Sequence, residues 1–176
     1  MKQERLNLYL IDMKYVRDLA KADTNSNVMS VSPQVGKASR PFIGVIIVCN
    51  TFKYCVPLSS PKEKHKTMKN DVDFMKIVVD DKILGVLNFN NMIPVDERFI
   101  SRFNMLVSPS DDAQTVRYKR MAAKQLTFCQ QNQNQIIKRA NKLHELILSG
   151  RANRTLQRRC CDFAALEATL LKKLHN

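Results

Sequence analysis

Glycine is scarce in this chain, with four in 176 residues, and none lies in a GKS, GKT or GxSxG pattern. That removes the phosphate-cradling P-loop and the nucleophile elbow of the serine hydrolases. Histidine is equally sparse: His65, His144 and His175 are far apart, without HExxH or zinc-finger spacing, so no metal site is expected. The five cysteines (Cys49, Cys55, Cys129, Cys160, Cys161) are odd in number and form no CxxC, which fits free thiols in a reducing compartment. No apolar run approaches the roughly 18 residues of a membrane span. The longest lies around Val45 to Cys49. Met1 to Glu4 leads straight into a patterned segment rather than a signal peptide, so a cytoplasmic protein is expected.

Acidic residues are the other deficit. Sixteen Asp and Glu face 29 Lys and Arg, for a net charge of +13. A polyanionic partner is therefore expected. The excess is lopsided: residues 1–112 carry 16 basic and 13 acidic side chains, whereas residues 113–176 carry 13 and 3. Length favours a single domain over 1–176, with a sheet core at about residues 6–95 and a helical part at about 96–176.

Strand alternation appears at Leu6 to Ile11, after which Asp12 is placed to cap a short helix bearing Tyr15, Val16 and Leu19. Asp23 to Ser39 reads as a long loop. Phe42 to Cys49 and Phe52 to Leu58, joined by Asn50 and Thr51, read as a hairpin. Phe74 to Val79, Ile83 to Phe89 and Met92 to Val95 add three strands, and Phe99 to Leu106 reads as a short helical segment. From Gln114, Tyr118, Ala122, Leu126, Cys129, Ile136, Ala140, Leu143 and Ile147 form one apolar stripe, with a polar break at Asn132 to Gln135 and a stop at Gly150. Cys161 to Leu174 forms a last helix capped by Asp162. The fold class is α+β: a small, highly curved, mainly antiparallel sheet or partly open barrel, with surrounding helices and a long helical C-terminal half.

The chemistry-bearing segment is Pro57 to Lys69, which gathers Ser59, Ser60, Lys62, Lys64, His65, Lys66 and Lys69 behind a strand carrying Lys53. Cleaving RNA through its own 2′-hydroxyl requires a proton acceptor, a proton donor and positive charge at the phosphorane, and these residue types supply them. A solvated basic turn is the alternative on composition alone. Arg40, just before the Phe42 strand, offers a second cation if the hairpin brings it to the same place. His65 is a candidate acid that lacks an evident orienting partner. On the long helix, Arg117, Lys119, Arg120 and Lys124 are candidates for tracking phosphates, and Tyr118 for stacking on a base. Tyr118 and Tyr15 also fit core packing.

Five segments, LYLIDMKYV, RPFIGVII, KYCVPLSSPKEKH, LGVLNFNNMIPV and YKRMAAKQLTF, together resemble the type III toxin–antitoxin endoribonucleases, the ToxN, AbiQ and CptN-like toxins, from about Leu8 to Leu171. The resemblance implies a sheet related to the Kid and MazF toxins. It also implies metal-free, cofactor-free cleavage to a 2′,3′-cyclic phosphate and a 5′-hydroxyl. In the family pattern a hydroxyl pair followed by Pro and Lys is catalytic, and it falls on Ser59, Ser60, Pro61 and Lys62, with a basic residue at Arg40. Tyr15 and Tyr118 match aromatic positions at the RNA-facing groove, and Lys64 stands where a relative has tryptophan. The implied partners are a pseudoknotted antitoxin RNA from tandem repeats, which the toxin processes, and target RNA of cell or phage, as in abortive infection. A closed cyclic toxin–RNA assembly is implied as well. A non-catalytic RNA-binding module is the competing reading, and a DNA-binding regulator is disfavoured by the lack of a helix-turn-helix.

Overall fold

The structure is a computed structural model, and it describes residues 1–29 and 42–176. Strand β1 (Leu8–Ile11) leads directly into helix α1 (Met13–Ala22), because the Asp12 carboxylate accepts the Tyr15 N–H at 2.8 Å and satisfies one of the helix's free donors. β2 (Phe42–Cys49) and β3 (Phe52–Ser59) form the central hairpin, in register from Cys49 opposite Phe52 to Gly44 opposite Pro57. β4 (Phe74–Val79) and β5 (Lys82–Asn88) form the second. Its two-residue turn has both Asp80 and Asp81 at positive φ, 49° and 59°, the backbone twist that tight hairpins require and that aspartate tolerates.

The sheet runs β4-β5-β3-β2-β1-β7 and is antiparallel throughout. Short β6 (Ile93–Val95) lies beside the first half of β3, and β7 (Ile100–Arg102) beside β1. The β6-β7 connection makes the curvature unavoidable. Three strands separate β6 from β7, a flat-sheet distance of about 19 Å, yet only Asp96 and a single 3₁₀ turn (Glu97–Phe99) connect them. A link at about 2 Å per residue spans half of that, so the sheet curls without closing.

Phe99 to Leu106 was expected to be helical. The segment is instead a turn followed by β7, so the sheet extends to Arg102 rather than ending near residue 95. The apolar spacing of Phe99, Ile100, Phe103 and Leu106 suits a helix, but the unpaired edge of β1 claims the backbone.

The C-terminal half is α2 (Ala113–Gln131), α3 (Gln133–Leu148), α4 (Arg154–Arg159) and α5 (Phe163–His175). α4 is not anticipated by the sequence pattern. Asp112, Asn153 and Asp162 cap α2, α4 and α5, and Gly150 turns left-handed at φ 70° just past α3. α3 packs on β2, α5 on β6 and α2 on β4 and β5. The buried stripe is Ala122, Leu126, Cys129, Ile136, Ala140 and Leu143, with Tyr118 outside it at 39% exposure. The Tyr54 hydroxyl donates to Glu167 Oε1 at 2.7 Å, and His144 Nε2 lies 2.8 Å from the same oxygen, tying β3 to α3 and α5. All five cysteines are free and buried, and burial pushes the Cys49 and Cys160 thiols up to about 12, so both stay protonated at neutral pH.

Candidate active site

β3 ends at Ser59, between two neighbours. On one side the β2 ladder pairs Gly44 with Pro57, two residues before Ser59. On the other, Leu58 pairs with Leu87 and Ser59 with Val86 of β5. Two residues past Val86 on the same face, Asn88 stands diagonally across from Ser59, and its Nδ2 donates to Ser59 Oγ at 2.8 Å. Ser60, Pro61 and Lys62 then leave the sheet and are exposed.

The loop is gripped again three residues on. In the 3₁₀ turn Glu63–Lys66, the Lys62 N–H donates to His65 Nδ1 at 2.8 Å, while the His65 N–H donates to the Lys62 carbonyl at 2.9 Å. An imidazole nitrogen that accepts carries no proton, so the ring is neutral with its proton on Nε2. His65 is 5% exposed and packs on the Phe74 ring, centroids 5.2 Å apart. Burial, then the charges of Lys64, Lys62 and Lys76, hold its pKa below the ordinary value. Lys76 belongs to this site by register: Val86 pairs with both Ser59 and Lys76, so the three form a row across one sheet face.

α2 reaches the same place from the sheet edge. Gln125, buried, donates from Nε2 to the Leu84 carbonyl at 2.9 Å, beyond the point where β3 stops covering β5. Gly85 leaves room for it, since a Cβ there would lie 2.6 Å from that Nε2 and 3.1 Å from the Ser59 carbonyl. Two turns toward the N-terminus, about 10 Å along the axis, Tyr118 shares the Gln125 face and meets Phe103 edge-on at 5.8 Å. Arg117, Arg120 and Lys124 are exposed around it. Among the described residues no group of three or more His, Cys, Asp or Glu has metal-binding spacing, and no helix is long and apolar enough to cross a membrane.

The family described as "Toxin ToxN, type III toxin-antitoxin system" matches residues 7–171. The chain belongs to the ToxN toxin family. It is 30% identical over 166 residues to the Endoribonuclease ToxN of Pectobacterium atrosepticum, covering 92% of this chain and 90% of that one. A solved structure described as selective toxin inhibition by a non-coding RNA pseudoknot superposes with a TM-score of 0.77 at 26% identity, over 98% of this chain and 100% of that one. AbiQ, a lactococcal anti-phage endoribonuclease, shares the fold at 21% identity, with a TM-score of 0.78 over 98% and 100% of the two chains.

The ToxN-family fold brings together part of the site expected from sequence. Ser59, Ser60, Lys62 and Lys64 gather at the end of β3, and Lys66 is there too, paired with Glu63 at 2.8 Å. Arg40 lies outside the described residues. Four further residues from that expected set are engaged elsewhere in the fold. Tyr15 is 2% exposed, donates to the Pro94 carbonyl at 2.7 Å and stacks on Phe99 at 4.2 Å, so it is a core residue. His65 is buried as the Lys62 clamp described above. Lys53 lies six residues up β3 from Ser59, about 20 Å away, and pairs with Glu97 at 2.9 Å. Lys119 is tied at 2.8 Å to both Asp111 and the Leu106 carbonyl, holding the loop before α2.

Asn88 and Lys76 went unrecognised in the sequence. The available signal is polarity: Lys76 interrupts the otherwise apolar β4, and Asn88 ends the apolar run of β5.

Proposed function

We propose that this ToxN-family chain is a metal-independent, sequence-specific endoribonuclease toxin acting at the end of β3. The substrate's 2′-hydroxyl attacks its own phosphorus, the bond to the 5′-oxygen breaks, and the products carry a 2′,3′-cyclic phosphate and a 5′-hydroxyl. A proton leaves the 2′-oxygen as the first bond forms, and another reaches the 5′-oxygen as the second breaks. Ser59 and Ser60 donate hydrogen bonds to phosphate oxygens. Lys62, with Arg40 as a second cation, offsets the charge that grows on the phosphorane.

The observation that carries this reading is the exposed Ser60-Pro61-Lys62 segment, held at one end by the Ser59–Asn88 bond and at the other by the Lys62–His65 bond. A solvated turn has no need of two such anchors. The name of the Pectobacterium relative, an endoribonuclease over nearly the same length, supports the reaction class.

The same proposal assigns the partners. The regulator is a pseudoknotted antitoxin RNA from tandem repeats, processed by the toxin and held with it in a closed cyclic assembly; inhibition of a structural neighbour by a non-coding RNA pseudoknot supports the RNA partner. The targets are cytoplasmic RNAs of cell or phage. Arg117, Tyr118, Arg120 and Lys124 with Lys64 form the surface that holds RNA near the cut.

Incubating the protein with RNA in EDTA tests the chemistry. Cleavage is expected, and it is lost in a folded Lys62→Ala variant and on RNA with 2′-deoxyribose at the scissile position. Cutting of the deoxy substrate, or full activity of the variant, overturns the mechanism. Binding without cleavage under any condition leaves a non-catalytic RNA-binding module instead.

A further inference from the structure

We infer that Asn88 is a positioning residue for the Ser59 hydroxyl, an inference that rests on Ser59 belonging to the reactive centre. A serine hydroxyl has one proton and two lone pairs on a rotor that turns freely unless something fixes it. Here the Asn88 Nδ2 donates to Ser59 Oγ at 2.8 Å and occupies one lone pair. The serine proton therefore points away from the amide and remains free for a phosphate oxygen.

Neither partner of this bond is loose. Ser59 is set by the Leu58–Leu87 and Ser59–Val86 pairs. Asn88 pairs with Phe74 of β4 on its other side, and the next residue, Phe89, is completely buried. The register that places the two on one face is the register of the whole β3-β5-β4 sheet, so the geometry exists before RNA arrives. A donor aimed in advance stabilises developing charge without reorganising at the moment of reaction. The amide's orientation is decisive: a carbonyl oxygen facing Ser59 would take the proton the reaction needs.

The test is a double-mutant cycle read by single-turnover cleavage. Asn88→Ala is expected to slow cleavage about 10- to 100-fold, at or below the range for removing a direct donor, while affinity for an RNA blocked by 2′-deoxyribose at the scissile position stays unchanged. Asn88→Asp, nearly isosteric but with only acceptors to offer, is expected to slow it further and serves as the probe should the alanine variant fail to fold. In a Ser59→Ala background, itself slow, neither change is expected to cost more, because the residue it acts through is gone. A full multiplicative loss in that background overturns the inference, as does wild-type cleavage by folded Asn88→Asp. Wild-type cleavage by Ser59→Ala alone removes Ser59 from the centre and fells the underlying reading first.

Discussion

His65 Nδ1 accepts the backbone N–H of Lys62 at 2.8 Å, so a titratable ring holds the lysine that the proposed reaction depends on. The bond exists only while that nitrogen is unprotonated. Burial first, then Lys64, Lys62 and Lys76, lowers the folded-state pKa of His65 below its ordinary 6.5. The folded protein thus disfavours the imidazolium. The linked stability is complete above about pH 6.5 and declines as pH falls through that value toward the depressed folded-state pKa. Cleavage by the wild type is expected to fall along an acidic limb beneath pH 6.5. In His65→Asn, whose side-chain oxygen accepts the same N–H without titrating, that limb disappears. His65→Ala leaves the donor unpartnered and slows cleavage about tenfold at every pH. An acidic limb that persists unchanged in folded His65→Asn rules the clamp out.

Gly44 gives a prediction about folding alone. A Cβ at this position would lie 2.2 Å from the Val56 carbonyl oxygen and 2.5 Å from Cys55 Sγ. The obstacle is backbone, pinned by the pairing of Val45 with Val56, so it cannot swing aside. Gly44→Ala is expected to cost about 3 kcal/mol or more, lowering the melting temperature by roughly 6–12 °C. Gly150 is the control: its φ is 70° but nothing lies within 4 Å, so alanine there costs only about 1–2 kcal/mol. Equal melting temperatures for the two variants contradict the argument.

How far the sequence is legible follows from what is local in it. Phe42–Cys49 and Phe74–Val79 coincide with the strands expected, and Asp12 and Asp162 each cap the helix expected after them, because patterning and capping act within a few residues. Ser59 to Lys62 is legible for the same reason: hydroxyls and a lysine follow a readable strand. Asn88 and Lys76 reach Ser59 only through strand register, which depends on how β3, β5 and β4 align in space. The two tyrosines show the limit most directly. Tyr15 and Tyr118 are both aromatics on amphipathic helices, and only the packed structure tells that Phe99 and Pro94 enclose the first while Phe103 leaves the second half open.

Those tyrosines are expected to separate under mutation. Tyr118→Ala removes a stacking platform and weakens RNA binding about tenfold or more, while Tyr118→Phe keeps the ring and the affinity. Tyr15→Phe leaves the Pro94 carbonyl without its donor, costing about 1–3 kcal/mol of stability with no change in RNA affinity. Thermal melting and filter binding on the same preparations measure both. Weaker RNA binding by well-folded Tyr15→Phe returns that residue to the interface.

The basic residues of α2 divide in the same way. Arg117, Arg120 and Lys124 are exposed, whereas Lys119 spends its charge on Asp111 and the Leu106 carbonyl. A cation that displaces condensed counterions from RNA contributes about 0.7 to the slope of log affinity against log salt for a single strand. Changing Arg117, Arg120 or Lys124 to glutamine is therefore expected to flatten that slope by about 0.7 for each phosphate left without its cation. Lys119→Gln is expected to leave the slope unchanged and to lower the melting temperature, since it frees the loop ahead of α2 and strands the Asp111 carboxylate. A salt titration of RNA affinity across the four variants decides the matter. Should Lys119→Gln flatten the slope as much as Arg120→Gln does, the Asp111 pair opens when RNA binds, and Lys119 belongs among the residues that grip phosphate.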